Sequence, residues 1–408
     1  MFLLKMALLN LARHKRRTLI TAFAISFGVV SFIFIDSMLK GADSESVRNL
    51  KWYETSSAKI LHKEYWENRV QKSLNYNFSG SDEIIARLNG QGINGTERTE
   101  FYGEMILNKQ DFGEDGNISV QVTAINPLRD EDVFHFRDTL VDGRFLNPGD
   151  EGILLGSWLA EDIGAEVGSV VTIVARGRGG FFEAMDLELL GIVNCPNPTV
   201  NRRLIMMPLD TADDYLFLEG TVSEIDIKEE DIDSVRAILR DYPDLVVLGF
   251  EDLAKDYLSM MEMEKSSSGI ILFLIFIIAA VGISNTMLMT MYERFREIGM
   301  MRAMGMADGK IRIMFLLEAA GIGFLGALVG ILFGIFAVFF LIHVGIDYGF
   351  ATREFDLVYR VQAIFRGEWN WSTMALSALA SSAISTLVAI FPINRGLKLD
   401  ISSCLKHQ

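Results

Sequence analysis

Residues 18–39 read TLITAFAISFGVVSFIFIDSML, a stretch in which only Asp36 is charged. About 20 apolar residues in a helix, rising ~1.5 Å each, cross the ~30 Å hydrocarbon core of a bilayer. Three more stretches have the same character, namely Gly269–Tyr292, Ile313–Ile342 and Ser372–Ile393. The sequence therefore predicts four transmembrane helices.

More than half of the chain, residues 40–268, lies between the first and second of these spans. Residues 40–267 hold 22 basic and 43 acidic side chains, a net charge of −21, against −15 for the whole chain. A channel or a secondary carrier places most of its chain in the membrane. We therefore expect this protein to act both within the membrane and in the aqueous phase outside it. The acidic block also argues against a nucleic-acid partner, because phosphate binding requires the opposite sign.

Basic residues cluster in three segments outside this block, and the positive-inside rule places such segments in the cytoplasm. They are Lys5, Arg13, Lys15, Arg16 and Arg17; Arg294, Arg296, Arg302, Lys310 and Arg312; and Arg395, Lys398 and Lys406. We therefore expect cytoplasmic termini, with residues 394–408 as a cytoplasmic tail. The polar block and the 343–371 loop then lie outside.

Residues 1–17 are predicted to form an amphipathic helix on the inner membrane surface. A cleaved signal peptide is the competing interpretation, but the apolar run is long for one and no Ala-x-Ala site follows Leu39. Cys195 and Cys404 fall on opposite sides of the membrane in this topology, so we expect no disulfide between them.

The polar block begins and ends with a strand–helix–strand pattern. The first unit is Ala58–Glu64, Ser81–Leu88 (capped by Ser81) and Glu100–Lys109; the second is Ser223–Lys228, Asp231–Arg240 and Leu245–Leu248. We expect these units to pair into one α/β subdomain of about residues 50–115 and 221–250. Short apolar runs broken by Gly, Pro and Asp predict a β-rich subdomain over about 118–218.

A hairpin is predicted from Val170–Ala175 and Leu187–Val193, joined across the glycine-rich residues 176–180. These glycines do not form a nucleotide-binding P-loop, because no Gly-Lys-Ser/Thr sequence occurs anywhere in the chain. A flexible tip is the simpler interpretation. The alternative is a tip that docks an external partner through exposed Phe181 and Phe182.

The segment after span two reads YERFREIGMMRAMG over residues 292–305. On a helix, Glu293 and Glu297 share one face. Arg294, Ile298, Met301 and Arg302 lie on the opposite face, and Gly305 ends the helix. A solvated connector is the alternative. Before the span, Glu251–Lys265 is predicted to continue into it as one stiff helix.

This segment closely resembles the FtsX-like permease domain of ABC transporters, whose pattern Glu-Arg-x-Arg-Glu-Ile-Gly-x-x-Arg-Ala-x-Gly it matches. The basic lead Asn10-Leu-Ala-Arg-His-Lys-Arg-Arg-Thr-Leu is also similar to the family. So are Asp142-Gly-Arg-Phe-Leu, Gly152-Ile-Leu-Leu-Gly-Ser-Trp-Leu-Ala and Glu166-Val-Gly-Ser-Val-Val-Thr-Ile, which resemble its MacB-type periplasmic core domain.

The resemblance implies a mechanotransmission-type ABC transporter. A separate ATPase subunit dimer, which binds ATP and Mg, would press on a cytoplasmic coupling helix over residues 293–312. The coupling residues carried over are Glu293, Arg294, Arg296, Glu297, Ile298, Met301, Arg302 and Gly305. Lacking an ATPase domain, the chain departs from the fused macrolide exporters and is closer to the lipoprotein-releasing LolC/LolE branch.

Span three carries a glycine face, with Gly326, Gly330 and Gly334 at four-residue spacing and Gly323 nearby. Such a face admits close backbone approach. We favour packing against a span of the same subunit over a subunit interface. Glu318 lies near the cytoplasmic end of this span. An intramembrane acid is a functional candidate by default, but we favour structural anchoring.

We therefore expect a membrane α-helical fold with four transmembrane helices and a large α+β extracytoplasmic domain inserted between helices 1 and 2. The chain would be a non-catalytic permease of the bacterial inner membrane, with no cofactor or metal of its own. Expected partners are the ATPase, a second permease subunit (identical or paralogous), membrane lipid, and a lipoprotein cargo with a periplasmic carrier or adaptor.

The cargo cavity is expected between spans one and two of opposing subunits, lined by Phe27, Val30, Phe34, Ile278 and Val281. Two alternatives stay open at this point. One is export of small amphiphiles or peptides through a periplasmic adaptor. The other is a non-transporting signal transmitter that activates an envelope hydrolase.

Overall fold

The computed structural model describes residue 6 and residues 15–107, 116–228, 232–347 and 364–397. Most of the predicted amphipathic helix, the tail beyond Leu397 and Cys404 lie outside the described residues. The described chain forms two compact units. We call residues 45–260 the inserted domain and the remainder the helical unit.

The described helices are α1 Lys15–Leu50, α2 Lys63–Glu67, α3 Ser81–Asn89, α4 Asp130–Val133, α5 Ser157–Ile163, α6 Pro198–Arg203, α7 Leu209–Leu216, α8 Ile232–Ile238, α9 Phe250–Leu253, α10 Lys255–Glu293, α11 Phe295–Ala303, α12 Asp308–His343 and α13 Trp371–Leu397. The strands are β1 Ala58–His62, β2 Gly95–Leu107, β3 Gly116–Ile125, β4 Leu140–Gly143, β5 Gly152–Gly156, β6 Val170–Arg176, β7 Phe182–Val193, β8 Leu204–Pro208, β9 Glu224–Ile227, β10 Leu245–Gly249, β11 Ile346–Asp347 and β12 Ile364–Phe365.

Among the described residues, three helices are long and apolar enough to cross a membrane: Thr18–Thr55, Asp308–His343 and Trp371–Arg395. They contain predicted spans one, three and four. Predicted span two lies within α10, which is one continuous helix from Lys255 to Glu293. Its crossing of the membrane, and with it the total of four spans, stays a prediction.

In the helical unit, the glycine face of α12 lies against α1 of the same chain. A Cβ atom placed on Gly330 would lie 2.7 Å from the Cβ of Val29, and one on Gly326 would lie 2.8 Å from the Cβ of Ile25. Gly334 lies against Ile33, and Gly323 lies against Ser385 of α13. A side chain at these positions would force the helices apart, so the glycines allow spans one and four to pack on span three.

Asp36, the single charge of span one, is hydrogen-bonded at the start of α13. Its Oδ2 accepts from Asn370 Nδ2 at 2.9 Å. One turn further, Lys40 Nζ forms an ion pair with Glu368 at 3.1 Å, and the backbone N–H of Glu368 donates to Ser37 O at 3.1 Å. This charge therefore ties helix α1 to the chain that leads into span four.

The inserted domain is built on one sheet in the order β10-β1-β9-β2-β3-β8-β5-β7-β4, with β6 pairing β2 and β7. The two predicted strand–helix–strand units do pair, because β1 lies between β9 and β10. The long strand β2 pairs with β9 through its first residues and with β3 and β6 further on. The α/β and β-rich parts thus have separate apolar cores but share one strand.

Two local predictions are resolved by the backbone. The hairpin forms as predicted, with β6 and β7 antiparallel and Arg176 opposite Phe182. The predicted cap of α3 is wrong: the capping position is Gly80, whose φ of +83° suits glycine, and Ser81 is the first helical residue.

Candidate functional site

Residues 293–312, which we call the coupling segment, connect span two to span three. The backbone departs from helical geometry at Arg294 (φ −110°, ψ 13°), which divides α10 from α11. Gly305 ends this part with φ +87°, as predicted for a helix stop. The segment is therefore a short helix between two bends, held between two long helices.

One face of α11 is buried within the chain itself. Phe295, Ile298 and Met301 belong to the apolar core of the helical unit, together with Met314 and Phe315 of α12. Ile298 and Met301 are predicted coupling residues, and helix α12 side chains of the same core cover them. Their contact with an ATPase stays a prediction.

Arg294 is buried at the same bend and forms two ion pairs. Its Nη1 donates to Glu318 Oε2 of α12 at 2.9 Å, and its Nε donates to Glu297 Oε2 at 2.8 Å. The guanidinium carbon lies 5.0 Å from the centre of the Phe315 ring. Arg294 therefore fixes the start of α11 to span three, and Glu318 is its structural partner.

The exposed face of α11 carries a different set of side chains. Glu293 and Arg296 are exposed, and so are Met300 (45%) and Met304 (79%). Glu297 is half-buried and Gly305 is exposed. Met300 and Met304 were not among the predicted coupling residues, although their spacing from Arg296 along the helix identifies the same face. We call Glu293, Arg296, Met300 and Met304 the exposed coupling face.

Arg302, the last predicted basic coupling residue, pairs within the segment. Its Nε lies 3.0 Å from Asp308 Oδ1 at the first turn of α12. An acid at a helix N-terminus is favoured by the helix dipole. Arg302 therefore ties the end of α11 to the beginning of span three.

The predicted cargo-lining residues lie on separate helices. Phe27 of α1 and Val281 of α10 are exposed, whereas Val30 and Phe34 are half-buried. The side chain of Ile278 lies outside the described part of the structure. A cavity shared between two subunits stays a prediction.

Sequence reasoning missed a buried cluster of charges in the inserted domain. Lys59 of β1 pairs with Glu224 at 2.7 Å and Asp226 at 3.4 Å on β9, and Arg98 of β2 pairs with Asp130 at 2.7 Å. All five side chains are buried. Burial among more carboxylates than cations raises the pKa of Glu224 to about 8.

Glu100 borders the same cluster and titrates in the opposite direction. Burial by itself would raise the pKa of this carboxyl, but the ammonium groups of Lys72 and Lys59 outweigh it and lower the pKa to about 2. In the described residues, no group of three or more His, Cys, Asp or Glu side chains could hold a metal ion. The arrangement is that of a structural ionic core.

Two family descriptions match the chain. The MacB-like periplasmic core domain matches residues 18–242, and the FtsX-like permease C-terminal domain matches residues 269–401. The resemblance first suggested by the 292–305 motif is thereby confirmed.

Three relatives illustrate the range of the family. The lipoprotein-releasing system transmembrane protein LolC of Neisseria meningitidis is 25% identical over 71% of this chain and 73% of its own length. The uncharacterized ABC transporter permease YknZ of Bacillus subtilis is 22% identical over 99% of this chain and 98% of its own.

The macrolide export ATP-binding/permease protein MacB 2 of Yersinia pestis is 21% identical over 99% of this chain and 58% of its own length. The chain thus spans a little over half of that relative. It belongs to the ABC transporter permeases that combine a MacB-like periplasmic core domain with an FtsX-like permease domain.

Proposed function

We propose that this permease releases lipoproteins from the outer face of the bacterial inner membrane, driven by a separate ABC ATPase subunit dimer. The observation that carries the proposal is the similarity to LolC, 25% identical over 71% of this chain. The 408 residues contain no Gly-Lys-Ser/Thr phosphate loop. In the proposed complex, ATP and Mg would be bound by the ATPase subunit.

The exposed coupling face would receive the ATPase. It offers one acid, one base and two methionines, and methionine side chains adapt to irregular partner surfaces. Force on this face would pass through the bend at Arg294 into α10. Because α10 is one helix from Lys255 to Glu293, its two ends would move together.

Lipoprotein cargo places a physical demand on the membrane helices. Each methylene of an acyl chain contributes ~0.8 kcal/mol when buried, so the chains need an apolar shelter on leaving the bilayer. Phe23 and Phe27 of α1 are exposed aromatic side chains that could supply one. The shelter would close when a second permease subunit, identical or paralogous, faces this helix.

Both termini would be cytoplasmic and the inserted domain external, where its acidic surface would receive the cargo and pass it to a soluble carrier. Export of a small amphiphile through an adaptor is the second candidate. The match to MacB 2 over 99% of this chain favours it.

Photo-cross-linkers at Val30 and Ile278 test the cargo directly in the complete complex. We expect them to capture lipidated protein without nucleotide and to lose it when ATP is bound. A cross-linker at Leu379, an exposed apolar residue of span four, is the matched control and should capture only lipid. If the cross-linker at Val30 captures only phospholipid, while a drug or peptide binds and protects the inserted domain, the function is small-molecule export and not lipoprotein release.

A further inference from the structure

A cavity of about 470 Å³ lies beside the tip of the β6–β7 hairpin. Lys72, Arg176 and Arg178 line it, together with the tip glycines 177, 179 and 180. We call it the basic pocket. Its volume is within the ~300–1,000 Å³ typical of small-ligand sites, and its three cations stand out in a block of net charge −21.

The hairpin tip is held in place on both sides. Within it, the N–H of Gly177 donates to Phe181 O at 2.9 Å, and Arg178 N–H donates to Leu216 O at the end of α7 at 3.1 Å. A Cβ on Gly177 would lie 3.0 Å from Leu216 O, so glycine permits this close approach. The two arginines are therefore carried on an anchored tip.

The opposite wall contains an unusual backbone position. Lys72 has φ +44°, a left-handed conformation that costs a residue with a Cβ atom some strain. Its ammonium group forms an ion pair with Glu100. This contact holds the lysine at the pocket wall.

The charges that face the pocket leave a cationic excess. Glu100 pairs with Lys72, and Glu219 lies 3.5 Å from Arg178 but is 83% exposed, where an ion pair is weak. Among the described residues, Arg176 has no carboxylate partner and its Nε donates to Gly180 O at 3.1 Å. Two guanidinium groups on one loop suit the planar, bidentate recognition of phosphate oxygens.

We propose that the basic pocket binds a phosphate-bearing anion, with Arg176 and Arg178 contacting the phosphate oxygens. The site differs from a P-loop, because side-chain guanidinium groups supply the donors. Either a free phosphate or an anionic lipid headgroup presents this chemistry. The inference does not depend on the transported cargo.

Calorimetric titration of the purified full chain in detergent tests the inference with two probes, inorganic phosphate and dihexanoyl phosphatidylglycerol. We expect saturable binding that the double variant Arg176→Gln/Arg178→Gln weakens by at least about tenfold, because hydrogen bonds between charged groups are lost. The matched control is Arg236→Gln/Arg240→Gln, with the same charge change on exposed arginines outside the pocket. It should leave binding unchanged.

Phosphate binding would identify a free anion as the ligand, and binding of the lipid alone would identify a headgroup; each supports the site. A melting temperature equal to that of the native chain would show that the double variant folds. If the double variant does not fold, the single variant Arg176→Gln takes its place in the titration. Absence of saturable binding by both probes would overturn the proposal, as would equal weakening in the control variant.

Discussion

Replacing Arg294 with Met should destabilise the helical unit strongly, although the residue lies in a connecting segment. The side chains of Arg294 and Glu318 are only 6% and 3% exposed and their ion-pair distance is 2.9 Å. Removing one partner of such a pair leaves a buried charge without compensation, which costs about 3–5 kcal/mol. At roughly 1.4 kcal/mol per factor of ten, the unfolding equilibrium shifts by about two to three and a half orders of magnitude.

The double variant Arg294→Met/Glu318→Leu should be closer to the native stability than either single variant, since a packed apolar pair of similar volume can replace a buried ion pair. Arg296→Met is the matched control. Its side chain is exposed, so the expected change is within about 0.5 kcal/mol. Sodium dodecyl sulfate titration of the purified proteins, followed by circular dichroism, measures the native chain, the two single variants, the double variant and the control. Equal stability of Arg294→Met and Arg296→Met would refute the positioning role of Arg294.

Gly330→Ala should lower the stability of the helical unit by about 1–3 kcal/mol, because the added methyl group overpacks against Val29. At Gly309 a Cβ meets nothing within 4 Å, so Gly309→Ala should leave the stability unchanged. Thermal melting in detergent compares the two variants. Arg296→Glu on the exposed coupling face should abolish stimulation of the partner ATPase without changing the melting temperature, and unchanged stimulation would rule out docking there. The pKa of Glu224 is raised to about 8 in the native chain, so between about pH 5 and 8 this carboxyl holds a proton that the unfolded chain lacks. The free energy of unfolding should therefore fall with rising pH by at most about 1.4 kcal/mol per pH unit. Urea unfolding of Glu224→Gln should show a shallower fall, and the same slope as the native chain would contradict the raised pKa of Glu224.

The membrane helices and the hairpin were predictable because their signals are local. Length and apolarity identify α1, α12 and α13 without knowledge of their neighbours. Alternating apolar residues around a glycine-rich turn identify β6 and β7 in the same way. The Gly305 stop was predictable because a left-handed backbone position favours glycine.

The orientation of α11 was not predictable from the sequence. Helical spacing divides its side chains into two faces but does not show which face its own chain covers. Ile298 and Met301 turned out to be core residues, and Met300 on the other face is exposed. The choice depends on how α11 packs on α12 after the bend at Gly305, which the helical spacing of α11 alone does not show.

The buried charges of the inserted domain escaped prediction for a related reason. Lys59, Glu224 and Asp226 lie in short strands, where charged residues usually face water. Their burial follows from the position of β1 between β9 and β10. That arrangement joins segments more than 150 residues apart.

Release from proteoliposomes tests the central claim most directly. The permease would be reconstituted with its ATPase subunit and a triacylated lipoprotein, and a soluble carrier would be supplied outside. The account predicts that ATP hydrolysis moves the lipoprotein into the soluble fraction, and that Arg296→Glu in the exposed coupling face abolishes this movement. Lipoprotein that stays in the membrane while the same complex hydrolyses ATP and expels a small amphiphile would contradict it.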